Sequence, residues 1–296
     1  MTNLLEINNL NVTFETRFRS VTAVHDVSLS VAQGESVALV GASGSGKTVL
    51  GRSILGLVDE PGVVRGSIMF DGKQIVGRAE DDFREIRGVG VAMVFQDALD
   101  GLNPVYSVGS QLSEILTVRL GYARGRARER AIELMRQVGI RDPEGRYNDY
   151  PHQFSGGMRQ RICIALAVGM QPKLLIADEP TTALDVTVQA GILRLIKKLQ
   201  TETGMGLIFV THDLAVAREV SDRMVVMYNG RVVEEGSTED VFTNPQHPYT
   251  RALLSAHPAQ AKSWRDLEPI PEEFVTDGPS SGSQPASAPV PTASIG

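Results

Sequence analysis

The run Gly41-Ala42-Ser43-Gly44-Ser45-Gly46-Lys47-Thr48 matches G-x-x-x-x-G-K-[ST] in full. Its glycines let successive backbone N–H groups turn onto a β-phosphate. Lys47 supplies a cation for the β- and γ-phosphates, and the Thr48 hydroxyl supplies a ligand for Mg2+. A second group, Leu174-Leu175-Ile176-Ala177-Asp178-Glu179-Pro180, sets two carboxylates at the end of an apolar run. Asp178 is expected to hold Mg2+, directly or through water, and Glu179 to polarise the water that attacks the γ-phosphate; the alternative is that both acids cap a helix or face solvent. Ser155-Gly156-Gly157 precedes an apolar helical stretch. A helix N-terminus with two glycines leaves N–H groups bare where the dipole is positive, so it too suits phosphate.

Two weaker candidates end further strand-like runs. His212 follows Phe209-Val210-Thr211, and Gln96 follows Val91-Ala92-Met93-Val94-Phe95. His212 is read either as a structural histidine or as a group that reaches the γ-phosphate and holds the water in line. Gln96 carries a neutral amide able to reach Mg2+ or that water.

The elements that must position these residues are legible in the hydrophobic pattern. Ser36-Val37-Ala38-Leu39-Val40 reads as a buried strand entering the glycine-rich loop, and Val49, Leu50, Ile54 and Leu55 as the helix leaving it, which is the context a phosphate loop requires. The first ~90 residues are β-rich, with alternation over 4–14 and 21–31 and an Asp71-Gly72 hairpin turn. Residues 100–170 change to a helical pattern, read as an insertion. Strand signals return at 174–177 and 207–210, separated by a helical run, which indicates a parallel sheet with crossover helices. A hairpin is expected over 224–235 about Asn229-Gly230. The Pro-, Ser-, Gly- and Ala-rich end, 273–296, is expected to be disordered.

With 42% apolar and 22% charged residues, the 296-residue chain can bury a sizeable core. A formal charge of −6 argues against nucleic acid as a partner, and the basic run Arg124, Arg126, Arg128, Arg130 reads as a solvated helix face. The single cysteine, Cys163, excludes an internal disulfide and a cysteine metal cluster, and sits in an apolar run as a small core residue. No apolar run approaches the ~20 residues of a membrane span, so the chain is expected in the cytosol or at the periphery of a membrane.

Taken together, the loop at 41–48, Gln96, Phe154-Ser155-Gly156-Gly157-Met158-Arg159-Gln160, Asp178-Glu179, Ala183-Leu184-Asp185 and His212 resemble the ATP-binding subunits of ABC transporters. They match that family's Walker A, Q-loop, signature, Walker B, D-loop and H-loop, in order. The resemblance implies an α/β P-loop NTPase (RecA-like) core over 4–236, with an antiparallel β subdomain and a helical insertion subdomain. It implies ATP and Mg2+ as ligands, with Thr48, Gln96 and Asp178 about the metal and Glu179, His212 and Gln96 in hydrolysis. It implies that Ser155, Gly156 and Gly157 contact ATP held by the loop of a second ATP-binding subunit, a related partner rather than a copy. Phe14 matches the aromatic that stacks on adenine; the other reading of Phe14 is a core strand residue, with Phe18 as a substitute.

Pro151-His152-Gln153-Phe154-Ser155-Gly156-Gly157-Met158 and the stretch Asn244-Pro245-Gln246-His247-Pro248-Tyr249, within an extension at 237–272, are similar to the dipeptide/oligopeptide importer branch. That branch also includes importers of nickel, glutathione and opines. Its members work on the cytoplasmic face of the membrane with two transmembrane permease subunits and an extracytoplasmic solute-binding protein. Many of them carry a cysteine-rich segment after the extension, and residues 256–296 contain no cysteine. His247 and Tyr249 are read as structural. The competing reading is a soluble ABC-type ATPase, which usually has a long coiled coil or two cassettes, neither of which is visible.

Overall fold

The computed structural model describes residues 3–96, 101–182, 184–256, 271 and 274. Ala183 of the expected D-loop and all of the expected disordered tail except Phe274 lie outside the described residues. Strands β1 (Asn3–Glu15) and β2 (Ser20–Ala32) lead into β3 (Ser36–Val40) and helix α1 (Lys47–Ile54). After β4 (Gly62–Phe70), β5 (Lys73–Gln74), α2 (Glu80–Ile86) and β6 (Val91–Val94) come three helices, α3 (Val108–Leu120), α4 (Arg124–Gln137) and α5 (Gly156–Gly169). The chain then alternates through β7 (Leu174–Asp178), α6 (Val186–Thr203), β8 (Gly206–Thr211), α7 (Leu214–Val220) and β9 (Arg223–Tyr228). It continues into β10 (Arg231–Ser237), α8 (Thr238–Thr243) and α9 (Pro248–Ser255).

Two sheets result. The antiparallel one has the order β2-β1-β4-β5, and the larger one β10-β9-β3-β8-β7-β6. In the larger sheet every neighbouring pair is parallel except β9 with β10. Residues of β3, β7 and β8 are buried throughout, so their sequences run apolar without a break, as strands covered on both faces do. The period of two still sorts the faces. Leu174 and Ile176 pack with β1, β2 and β4 in one core, whereas Leu175 and Ala177 pack with α3 to α6 in another. A third core joins Ala38 and Val40 to α7, α8 and α9.

The expected hairpins are both present, with Asp71-Gly72 and Asn229-Gly230 in left-handed conformations that these residue types tolerate. On α4, the guanidiniums of Arg126 and Arg128 lie over the rings of Tyr122 and Tyr147, and Arg130 pairs with Glu133. These arginines cover the surface of the helical region.

Cys163, half-buried on α5 against the helical core, has its thiol pushed up to about 12 by burial. At pH 8 roughly one thiol in 10^4 is then ionised, so iodoacetamide should label the folded chain at least ~100-fold more slowly than a free thiol. Equal rates in folded and denatured protein would contradict this environment.

Candidate active site

Parallel order puts the C-terminal ends of β3, β8, β7 and β6 on one edge, where open α/β sheets gather their ligand-binding groups. Gly41 follows β3, Glu179 follows β7, His212 follows β8, and Gln96 lies two residues past β6. The sequence order 41, 96, 179, 212 is thereby compressed into one cleft of about 800 Å3.

The loop after β3 needs glycine at two points. A Cβ on Gly41 would lie 2.2 Å from the Met227 carbonyl oxygen, and one on Gly46 2.3 Å from that of Ala23, and both glycines have positive φ. Backbone alone fits there. The loop closes around Lys47, 4% exposed, whose Nζ donates to the carbonyls of Gly41 (2.8 Å) and Ala42 (2.9 Å) and lies 3.4 Å from Ser45 Oγ. Burial lowers the pKa of its ammonium, against the opposing pull of Glu179 and Asp178.

Asp178, 2% exposed, accepts a hydrogen bond from Thr48 Oγ1 at 3.1 Å. Burial raises its carboxyl pKa, with the Thr48 bond acting the other way. A buried carboxylate beside a hydroxyl is a hard-oxygen pair that suits Mg2+. Among the described residues no cluster of three His, Cys, Asp or Glu could hold a metal alone. An ion at Thr48 and Asp178 would therefore need phosphate oxygens and water to complete its shell, as Mg2+ commonly does.

Glu179 is the meeting point of the site. Its Oε2 accepts from Thr182 Oγ1 (2.9 Å) and from Gln96 Nε2 (3.5 Å), and His212 Nδ1 lies 3.3 Å from the same oxygen. The backbone at Glu179 is left-handed, φ 45°, which a non-glycine residue adopts at a cost of ~1–3 kcal/mol. Its own N–H is held by the Val210 carbonyl at 2.9 Å. This conformation turns the chain abruptly after β7 and sends the two consecutive acids to different tasks, Asp178 to Thr48 and Glu179 to Gln96 and His212.

The sequence-expected residues Lys47, Thr48, Gln96, Asp178, Glu179 and His212 are thus brought together. Phe14 is not. It pairs with Gly62 across β1 and β4, on the same side of the strand as fully buried Val12, and packs half-buried on the β core next to Val58. One face of the ring packs on that core, and part of the side chain stays accessible. The substitute, Phe18, is 97% exposed in the β1–β2 connection. Ser155, Gly156 and Gly157 also lie outside this cleft, at the start of α5, where Ser155 Oγ accepts from Met158 N as the N-cap. Thr182 was not anticipated. A hydroxyl three residues after the acid, just past a proline, was the available signal.

Comparison with known proteins bears on the same elements. The model of the family described as ABC transporter matches residues 24–182. The oligopeptide transport ATP-binding protein OppD of Bacillus subtilis is 45% identical over 274 residues, covering 92% of this chain and 76% of that protein. The chain belongs to the ABC transporter family. A second family model, the oligopeptide/dipeptide transporter C-terminal region, matches residues 233–278 of this ABC protein. The dipeptide transport ATP-binding protein DppD of Escherichia coli is 47% identical over 269 residues, covering 90% of this chain and 82% of that one. Among solved structures, the ATP-binding cassette MJ0796, dimeric in a post-hydrolysis state with ADP and Pi, matches with a TM-score of 0.70. It is 29% identical over 79% of this chain and 98% of its own. The cassette cbiO1 from Clostridium perfringens, part of the complex cbiONQ, matches with a TM-score of 0.69, 28% identity, and coverage of 82% and 92%. Among its described residues this ABC protein has no helix long and apolar enough to cross a membrane.

Proposed function

We propose that the chain is the ATP-hydrolysing subunit of an ABC importer of dipeptides or oligopeptides, held at the cytoplasmic face of the membrane by two permease subunits and supplied by a solute-binding protein. The carrying observation is the convergence on Glu179 Oε2 of Gln96, Thr182 and His212 beside a complete phosphate loop. The peptide assignment rests on the match at 233–278 and on the named functions of the relatives. Residues 4–236 form the catalytic cassette and 237–272 an importer-type extension.

In this reading the loop amides and Lys47 bind the β- and γ-phosphates, for which Lys47 exchanges its present contacts with the Gly41 and Ala42 carbonyls. Glu179 takes the proton of the attacking water and Gln96 and His212 orient it. Thr48 and Asp178, together with Gln96, would hold Mg2+, which would supply charge neutralisation at the phosphate oxygens.

Ser155, Gly156 and Gly157 act on ATP bound by the second cassette, a related subunit. ATP then binds the closed pair better than the open one, and moving the population from 1:99 to 99:1 takes ~5.5 kcal/mol of differential binding. Two to four charge-assisted hydrogen bonds at ~1.5–3 kcal/mol each supply that.

An apolar groove of about 300 Å3, between the end of α1 and α5, is the docking surface for a cytoplasmic segment of a permease. Phe95 lines this groove and the next residue, Gln96, touches Glu179, so a shift in the groove reaches the reacting centre through one peptide unit.

The test is complementation of a deletion strain with labelled di- and oligopeptides. The wild-type chain should restore uptake. Lys47→Ala should not, with ATP turnover reduced at least ~100-fold, because among the described residues lining the cleft no other lysine or arginine replaces its charge at the phosphates. Peptide uptake untouched by the deletion would remove the peptide assignment, and full turnover by Lys47→Ala would remove the site.

A further inference from the structure

An aromatic hydroxyl that touches the phosphate loop comes from outside the cassette's own motifs. Tyr249, on α9, is 0% exposed, and its hydroxyl oxygen accepts the Ala42 N–H at 2.8 Å. The carbonyl of the same residue, Ala42, accepts Lys47 Nζ at 2.9 Å. Before nucleotide binds, a single residue of the loop therefore joins the hydroxyl of Tyr249 to the ammonium of Lys47.

Tyr249 is itself firmly held. Its ring lies 4.5 Å from that of Tyr228 and 5.7 Å from that of Phe274, centroid to centroid. Its backbone N–H donates to His247 Nδ1 at 3.2 Å. The preceding turn is pinned to β10, because the Glu234 carboxylate accepts the N–H groups of Gln246 (2.7 Å) and His247 (3.0 Å). Burial opposes ionisation of Glu234, but these donors outweigh it and hold the carboxyl below the usual range. Further along α9, Leu253 and Ala256 form part of the wall of the nucleotide cleft.

Packing alone accounts for the Tyr249 ring, since phenylalanine would fill the same space. It does not account for the hydroxyl, which occupies the Ala42 donor at the first bend of the loop, where Gly41 is already pressed against the Met227 carbonyl. Removing one partner of such a bond leaves a half-buried donor unsatisfied and frees the bend to relax.

We propose that Tyr249 is a positioning residue of the ATPase. Its hydroxyl fixes the entry of the phosphate loop through Ala42, so that the C-terminal extension forms part of the nucleotide site within the same chain. Burial raises the pKa of the Tyr249 phenol, so the hydroxyl stays neutral at physiological pH and the contact is permanent rather than pH-switched.

The test measures KM and kcat for MgATP, with melting temperature, on the full-length chain assembled in its transporter. Tyr249→Phe keeps the ring and should raise KM about 5-fold with kcat within about 2-fold. In an Ala42→Pro background, which lacks the donor, the same substitution should change KM less than about 2-fold. An unchanged KM in Tyr249→Phe overturns the proposal. So does an equal rise in both backgrounds, or a fall in kcat and melting temperature at constant KM, which marks packing alone. A Tyr249→Phe chain that fails to fold counts against a role limited to the hydroxyl.

Discussion

Replacing Glu179 by glutamine should leave ATP binding intact and reduce hydrolysis by about 10^2–10^4-fold, the range for loss of a positioned general base. The amide has nearly the carboxylate's shape, and its one oxygen can still accept from Thr182, which donates at 2.9 Å. The left-handed backbone and the Val210 contact do not depend on the side chain's charge. What disappears is a basic oxygen facing Gln96 and His212. Equilibrium binding of MgATP together with phosphate release separates the two effects. Robust phosphate release by Glu179→Gln would require a different base.

Gly156→Asp should have a comparable effect for a different reason. Within the chain a Cβ at 156 meets only the Leu184 side chain, 3.9 Å away, so the folded cassette has room for it. At Gly157, one residue on, a Cβ would lie 2.4 Å from Val188 Cγ1, and the same substitution would disturb the fold. The cost at 156 falls on whatever anion approaches from outside. A carboxylate ~4 Å from a phosphate charge is opposed by ~4 kcal/mol at an effective dielectric of 20, or ~10^3-fold against closure. ATP affinity of the isolated chain should stay within about 2-fold, because Gly156 does not line the cleft. Weakened ATP binding in the isolated variant, or full turnover after assembly, would each contradict the proposed contact in trans.

The distance from sequence to site was short where a residue's role depends on its own strand. Gly41, Glu179, His212 and Gln96 each end or closely follow a parallel strand, and a parallel sheet aligns such ends, so their convergence followed from topology. Phe14 was legible only as a strand residue, because its pairing with Gly62 and its partial burial on the core formed by β1 and β4 are set by residues distant in the chain. Tyr249 lay furthest from view. It is 207 residues from Ala42 in the chain, and nothing local in Gln246-His247-Pro248-Tyr249 signals a hydrogen bond to the phosphate loop. Only the packing of α9 on β9 through Tyr228 brings them together.

The signature residues lie outside the cleft of the phosphate loop, and the proposed pairing of two cassettes makes them halves of one composite site. The most direct measurement is ATP turnover per chain as a second cassette is titrated against the full-length protein at saturating MgATP. Turnover should be close to zero for the chain alone, rise with the second cassette to a plateau, and stay near zero throughout with Gly156→Asp in both. Turnover per chain that is already maximal in dilute solution and independent of the second cassette would contradict the composite site.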